Sequence, residues 1–286
     1  MIARIQFLLL AGIAMPLLLR AQDTAQVTSQ DTVQTTKPDI RRNVFTANLD
    51  FQSRISYFGR TDSLKSSLLN PSIGYQLKMG LYAQASMIFI NNPVNTLDYT
   101  ATIFEGGYRF GQNKKVSGNL FYNQYLYEKN TRLIQSVVKS QTGFNVAFET
   151  KVITFNVNGN LKFSNKTDVG AAAGLDHLFL IRCPKQHAAI GINPSAYAYF
   201  GTQNFTNTYY EQKKIFNLIP TTPEAVTKNS SAFNVLSYEF SLPVVFVYKK
   251  FNCTLSGTYV MPQHLISGVE SGSNMFYCAA GIGVRI

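Results

Sequence analysis

Residues 274–286 read NMFYCAAGIGVRI, and their side chains alternate between two faces. One face carries Phe276, Cys278, Ala280, Ile282, Val284 and Ile286. Because successive side chains of a β-strand point to opposite sides, this alternation predicts a strand with one strictly apolar face. The predicted strand continues to the last residue of the sequence.

The same period of two recurs along most of the chain. Residues 152–163 show it most clearly, with Phe155 and Val157 on an apolar face opposite Asn156 and Asn158. Twelve such strands are predicted, at 44–58, 71–78, 81–90, 97–110, 116–127, 136–149, 152–163, 168–181, 187–202, 233–248, 251–261 and 274–286. Pro194 and Pro243 fall inside two of them, and a regular ladder is not expected at a proline.

The lengths of these strands indicate a transmembrane barrel. A secreted β-sandwich would explain the alternation, but its strands average about five to six residues, whereas a membrane strand needs about 9–11. Short and long connections also alternate, as in outer-membrane barrels with short periplasmic turns. The sequence therefore predicts an all-β fold, an antiparallel up-and-down transmembrane β-barrel of about 12 strands with both termini at the short-turn end.

The end of the sequence resembles the C-terminal assembly signal of Gram-negative outer-membrane β-barrels, in which apolar residues follow a glycine at the third and fifth positions. Gly281, Val284 and Ile286 occupy those positions, although the family usually has aromatic residues at the last two. The resemblance implies a porin-like protein of the bacterial outer membrane with both termini in the periplasm. Its implied partners are membrane lipid, lipopolysaccharide and the barrel assembly machinery.

Three regions are expected along the chain. Residues 1–21, with Arg4 before an apolar run and Ala21 at the end, predict a signal peptide. Residues 22–42 are rich in Gln, Thr, Asp and Ser, which predicts a disordered periplasmic tail. Its two Asp-Thr-apolar triplets resemble an O-glycosylation motif, or reflect low complexity. Residues 43–286 form the predicted barrel.

Composition excludes several classes of function. The net charge of +11 comes from scattered basic residues without a run longer than a pair, so nucleic-acid binding is not expected, whereas attraction to lipopolysaccharide or anionic solutes is. Three cysteines do not form a disulfide framework. With three histidines and no paired metal-ligand motif, no metal site or cofactor is expected.

A set of charged residues is predicted to face the lumen, where they must meet water or pair across a closed interior. These residues are Asp50, Arg54, Lys78, Glu105, Arg109, Lys162, Asp168, Asp176, Glu239 and Arg285. They favour a narrow channel or a barrel that binds or transports a small solute. The alternatives are a plugged structural or adhesive barrel and an outer-membrane hydrolase. The hydrolase is less favoured because His177 and His264 belong to no recognisable catalytic motif, so no catalytic residue is assigned.

The longest connection, 203–232, is expected to constrict the mouth of the barrel because it is rich in apolar residues and long loops are usually functional. The residues assigned to the constriction are Tyr209, Tyr210, Phe216, Leu218 and Ile219.

The apolar residues of 97–110 change parity, which predicts a β-bulge near Ile103 and Phe104. The bulge would turn Glu105 and Arg109 into the lumen. Aromatic residues near strand ends are expected to form two girdles at the membrane interfaces. They are Tyr57, Tyr75, Tyr99, Tyr122, Phe148, Phe179 and Tyr248.

Overall fold

A computed structural model describes residues 42–60, 65–94, 96–112, 114–128, 138–183, 187–204, 232–265 and 273–286. Their backbone forms fourteen strands in one antiparallel sheet. The strands are β1 (Val44–Gln52), β2 (Ser67–Gln76), β3 (Leu81–Asn91), β4 (Asp98–Phe110), β5 (Val116–Tyr127), β6 (Ser140–Glu149), β7 (Thr154–Phe163), β8 (Thr167–Asp176), β9 (Phe179–Cys183), β10 (Ala188–Ile192), β11 (Ser195–Gly201), β12 (Asn234–Tyr248), β13 (Phe251–Pro262) and β14 (Met275–Arg285). No helix in this described part of the chain is long and apolar enough to cross a membrane.

The sheet closes on itself. β1 pairs with β14, and β11 pairs with both β8 and β12, so that β1–β8 and β11–β14 form a closed twelve-stranded antiparallel barrel. The hairpin of β9 and β10 is added to this ring, because β10 continues the pairing with β12. The predicted barrel with its strand number is thereby confirmed.

Two of the predicted strands are split in the structure. The strand predicted at 187–202 breaks at residues 193–194 into β10 and β11, as Pro194 requires, and the preceding strand breaks at residues 177–178. Pro243 remains inside β12 and lies beside the break, where its carbonyl accepts a hydrogen bond of 3.0 Å from the Asn193 N–H. Proline has no N–H to donate to a neighbouring strand. Pro243 lies where the pairing of β12 with β10 and β11 is already interrupted, at residues 193–194.

The barrel is apolar outside and polar inside. Phe155, Val157, Leu242 and Ile282 are between 44% and 59% exposed, whereas asparagine, serine and threonine side chains on the opposite faces are buried. This distribution of apolar and polar side chains is the reverse of that in a soluble protein. A bilayer requires it because lipid surrounds the outer wall. The predicted assignment of faces is confirmed for these strands. Of the predicted girdle residues, Tyr57 is buried, and the other six are exposed.

The two ends of the barrel differ. The end called here the turn end carries the short connections 77–80, 111–115, 150–153, 184–187 and 249–250, together with Asn43 and Ile286. The opposite end, called the loop end, carries the connections 53–66, 92–97, 128–139, 164–166, 202–233 and 263–274.

The β-bulge predicted near Ile103 and Phe104 is wrong, and the register of β4 shifts nearer its start instead. Ile88 pairs with Ala101 and Phe89 with Tyr99, so the extra residue is Thr100, and the ladder through 103–105 is regular. Ala101 and Ile103 therefore face inward, although they were expected to share an outer face with Tyr99. The expectation failed because an apolar residue suits lipid and an apolar interior equally well.

Candidate functional site

The chain turns into the barrel immediately after β1. The sequence predicts a strand to residue 58, but β1 ends at Gln52 and residues 53–60, called here the inward segment, fold into the loop end of the lumen. Tyr57 and Arg60 exchange backbone hydrogen bonds of 2.9 and 3.0 Å across a two-residue turn. Phe58 and Gly59 both have positive φ, at 52° and 74°, as a type I′ hairpin turn demands.

Gly59 is required at this turn for a second reason. A Cβ atom added to it would lie 2.6 Å from Cβ of Pro262, the last residue of β13. The inward segment therefore packs closely against the wall of the barrel.

The inward segment fills the loop end of the lumen with apolar side chains. Ile55, Tyr57 and Phe58 are at most 4% exposed and form one cluster with inward residues of the surrounding strands. The wall residues of this cluster include Ile88, Ile103, Tyr125, Tyr199 and Leu236, and the Phe58 and Tyr199 rings lie 5.7 Å apart. Among the described residues the cluster includes side chains from seven strands, β2, β3, β4, β5, β8, β11 and β12, and it fills this end of the barrel with apolar groups.

Polar contacts hold the inward segment at its edges. Arg60 donates from Nη1 to the Phe58 carbonyl at 3.2 Å and from Nη2 to Gln203 Oε1 at 2.6 Å. Gln203 in turn donates to the His264 carbonyl at 3.4 Å. On the opposite wall, Lys162 Nζ lies 4.6 Å from the centre of the Phe58 ring and 5.2 Å from that of Tyr57. The segment is thus connected to β7 and to the residues that flank β11 and β13.

The lumen on the turn-end side of this cluster is polar. It is lined mainly by buried Asn, Gln, Ser and Thr side chains, such as Asn123, Asn158 and Thr254. Atoms of these three side chains, and Nε2 of Gln141, are buried without a hydrogen bond in the described part of the chain. Buried polar groups are costly unless water or protein satisfies them, so this lining favours ordered water in this part of the lumen.

The structure separates the predicted lumen residues into two groups. Six are buried on the inner side, namely Asp50, Glu105, Lys162, Asp168, Asp176 and Glu239. Arg54, Arg109 and Arg285 are half-buried, and Arg109 donates to Gln76 Oε1 at 2.5 Å and covers the Tyr82 ring at 4.3 Å. Lys78 is exposed in the 77–80 turn, because β2 ends at Gln76, and so it does not line the wall.

The sequence predicted a constriction in the connection 203–232, whereas the structure places the inward segment in the lumen. Tyr209, Tyr210, Phe216, Leu218 and Ile219 lie outside the described residues, as do the predicted signal peptide and almost all of the predicted tail. The inward segment was missed because Ile55 and Tyr57 continue the parity of the lipid-facing residues of β1. The available signal was the Phe58-Gly59 pair, which favours a tight turn.

The two histidines considered for catalysis are engaged by the backbone. His264 donates from Nδ1 to the Val235 carbonyl at 3.0 Å, and His177 Nδ1 contacts the Val152 carbonyl. The His177 ring also packs edge-on against Phe179, 4.3 Å away. Ser267, three residues after His264, lies outside the described residues. These contacts hold both imidazole rings against the backbone.

Comparisons with known proteins were made by sequence and by structure. No protein-family model and no curated protein sequence matches the chain. Among solved structures, the NanC porin is similar with 8% identity and a TM-score of 0.47, over 85% of this chain and 100% of that one. The KdgM porin has 6% identity and a TM-score of 0.46, over 84% and 98%. The LpxR protein from Salmonella typhimurium has 10% identity and a TM-score of 0.43, over 84% and 99%.

The closed barrel, its apolar outer wall and its polar lumen together define the class of the protein. Each feature is observed in the structure itself and matches the architecture that a lipid bilayer imposes on a β-protein. The chain has the architecture of a transmembrane β-barrel.

Proposed function

We propose that the protein is a narrow outer-membrane channel for small polar solutes, closed at the loop end by the inward segment. The observation that carries the proposal is the lining of buried Asn, Ser and Thr side chains beyond the apolar cluster, several of which make no hydrogen bond among the described residues. A barrel with a purely structural role would be stabilised better by a well-packed apolar interior than by buried amides that need water. A wet lumen that ends at a small apolar closure is suited to opening when the closure moves.

The proposal also assigns the two ends of the barrel. The turn end faces the periplasm and the loop end faces the outside of the cell, which is the usual asymmetry of outer-membrane barrels. Asn43 and Ile286 then lie on the periplasmic side. With this orientation the inward segment closes the channel at its outer end.

A second candidate function is a permanently plugged structural barrel. The observation that favours it is the tight burial of the inward segment, whose Phe58 is 1% exposed and which makes polar contacts on two walls. The two functions differ in whether the segment leaves the lumen. They are therefore separable by measuring ion flow through the protein.

Planar-bilayer conductance of the refolded chain provides the test. The double variant Tyr57→Ala, Phe58→Ala removes the aromatic closure, and Phe51→Ala in β1 is the matched control because its side chain faces lipid. We expect rare openings from the unchanged protein and from the control, and steady single-channel steps from the double variant. Silence from a correctly folded double variant would instead favour the structural barrel.

A further inference from the structure

One strand of the barrel has an unpaired edge. β9 pairs with β10 over its whole length, but no strand among the described residues pairs with its other edge. The neighbour on that side, β7, begins at Thr154, which is level with Asp176 at the end of β8. β9 starts three residues later, at Phe179, and runs on toward the turn end. Its free edge therefore lies beyond the start of β7.

The rest of the hairpin holds this edge in place. β10 pairs with β12 over five residues, Ala188–Ile192. At the tip of the hairpin, the connection 184–187, the His187 carbonyl accepts a hydrogen bond of 3.0 Å from the Lys249 N–H. On the inner side, Leu178 packs against buried valines of β12. The edge is thus fixed to the wall of the barrel.

The free edge is exposed and largely apolar. Phe179 and Ile181 point outward and are 53% and 56% exposed, and Arg182 and Cys183 are exposed as well. An edge strand presents a row of N–H and C=O groups that can pair with a further strand. Barrels ordinarily remove their edges by closure, so an edge left at β9 indicates a site for one more strand.

A second copy of the chain does not fit this edge. Antiparallel pairing of β9 with the same strand of another molecule requires a two-fold axis perpendicular to the sheet. The sheet at β9 continues the barrel wall, so this axis would lie in the plane of the membrane and would invert one barrel. Parallel pairing requires an axis along the strands, which are tilted in a barrel, and it would misalign the two barrels.

The N-terminal segment approaches the edge from the same end of the barrel. β1 starts at Val44, at the turn end, and the residues before Arg42 lie outside the described residues. Around the rim, β9 is five strands from β1, through β14, β13, β12 and β10, which corresponds to about 24 Å. An extended chain covers this distance in about seven residues. Residues 37–43 therefore suffice as the connection, and the residues before them can lie along β9.

The sequence immediately before this connection is suited to a strand. Residues 32–36 read TVQTT, and four of these five residues are β-branched, a class that favours strands. The segment has the same length as β9. Pro38 follows it and marks where pairing must end, because proline has no N–H to donate.

We propose that residues 32–36 add to the free edge of β9 as an antiparallel strand. This direction returns the chain from the hairpin tip to the rim, where β1 begins. Thr32 then lies opposite Cys183. In this register Asp31 is diagonal to Arg182 on the same face, where opposite charges stabilise the pairing. The proposal is independent of the channel, since the strand lies at the turn end and the inward segment at the loop end.

Disulfide formation with the native Cys183 tests the register. The other two cysteines, which are also exposed, are first removed by Cys253→Ala and Cys278→Ala. Thr32→Cys, refolded in detergent and mildly oxidised, should then form an intramolecular disulfide. Strand pairing raises the effective concentration of the two thiols at this position.

Thr24→Cys and Thr36→Cys are the matched controls, because they lie on either side of the predicted position in the same segment. We expect both to form the disulfide more slowly than Thr32→Cys, by about tenfold or more, since only Thr32 lies opposite Cys183. The measurement is the fraction cross-linked with time, by non-reducing electrophoresis of the unfolded protein. Similar rates at the three positions would mean that the segment passes Cys183 without pairing, and would overturn the proposal.

Hydrogen exchange tests the pairing without new cysteines. Deleting residues 22–36 should speed exchange of the β9 amides that point away from β10 by about tenfold or more, because they lose their partner. Deleting residues 22–29 keeps the proposed strand and should leave this exchange unchanged. Exchange at one rate in the unshortened protein and in both deletion variants would contradict the added strand.

Discussion

The ammonium group of Lys162 lies 4.6 Å from the centre of the Phe58 ring and joins β7 to the inward segment across the lumen. Lys162 is 3% exposed, so water competes little with this contact. A cation–π contact of this kind contributes about 2 kcal/mol when it is desolvated. The contact between these two residues therefore stabilises the closed position of the segment, whose Phe58 also adopts an unfavourable positive φ.

Replacing Lys162 with methionine should make the closure easier to open. The substitution keeps the apolar stem and removes the charge, so about 1.4 kcal/mol of lost stabilisation would raise the open-to-closed ratio about tenfold. Open probability in planar bilayers is the measurement. Lys166→Met, an exposed position in the 164–166 connection, is the control. Equal open probabilities for both variants would show that Lys162 does not hold the segment.

Gly59→Ala should destabilise the inward segment, whereas Gly106→Ala should have little effect. Gly59 has φ +74° and its added Cβ would meet Pro262 at 2.6 Å, while the nearest atom to an added Cβ at Gly106 is 4.0 Å away. We expect a loss of about 1–3 kcal/mol for Gly59→Ala because alanine is strained at positive φ. Denaturant titration in lipid vesicles measures it, and a loss at Gly106 of the same size would contradict the structural reason.

The outer wall could be predicted from sequence because it follows from backbone geometry. Any strand between lipid and a polar lumen must alternate, so Phe155 and Val157 could be assigned outward without knowledge of the fold. Six of the ten predicted lumen charges lie buried on the inner side for the same reason. Lys78 differs because strand ends are less well determined by alternation than strand interiors.

The closure of the lumen could not be predicted in this way. Ile88 and Ile103 face inward, where they pack in one apolar cluster with Ile55 and Phe58. These contacts join residues far apart in the sequence. Local alternation contains no information on such contacts.

A charge on the outer wall should be most costly in the middle of the membrane. Leu242 lies near the centre of β12 and Phe251 is the first residue of β13, and both side chains are exposed on the outer wall. Arginine costs about 2–4 kcal/mol at the bilayer midplane and about 0–1 near the interface. We therefore expect Leu242→Arg to lower the free energy of unfolding in vesicles more than Phe251→Arg does. A larger loss of stability for Phe251→Arg than for Leu242→Arg would contradict the placement of the turn end at the membrane interface.

The hydrogen bond between Arg60 and Gln203 should couple the inward segment to the base of the 202–233 connection. Arg60 Nη2 donates to Gln203 Oε1 at 2.6 Å, and both side chains are buried. A hydrogen bond to a charged group contributes about 1.5–3 kcal/mol. A double-mutant cycle with Arg60→Met and Gln203→Leu should therefore give a coupling free energy of this order, since the two residues are in direct contact.

Conductance is the readout for this cycle, because the bond acts on the closed position. Each single variant should raise the open probability, and the double variant should raise it by less than the product of the two single effects. Gln124→Leu supplies the control, because Gln124 bonds to Lys139 on the outside of β5 and has no contact with the inward segment. Strict multiplication of the Arg60 and Gln203 effects would mean that the two residues act separately, and closure would then depend on the apolar cluster and Lys162.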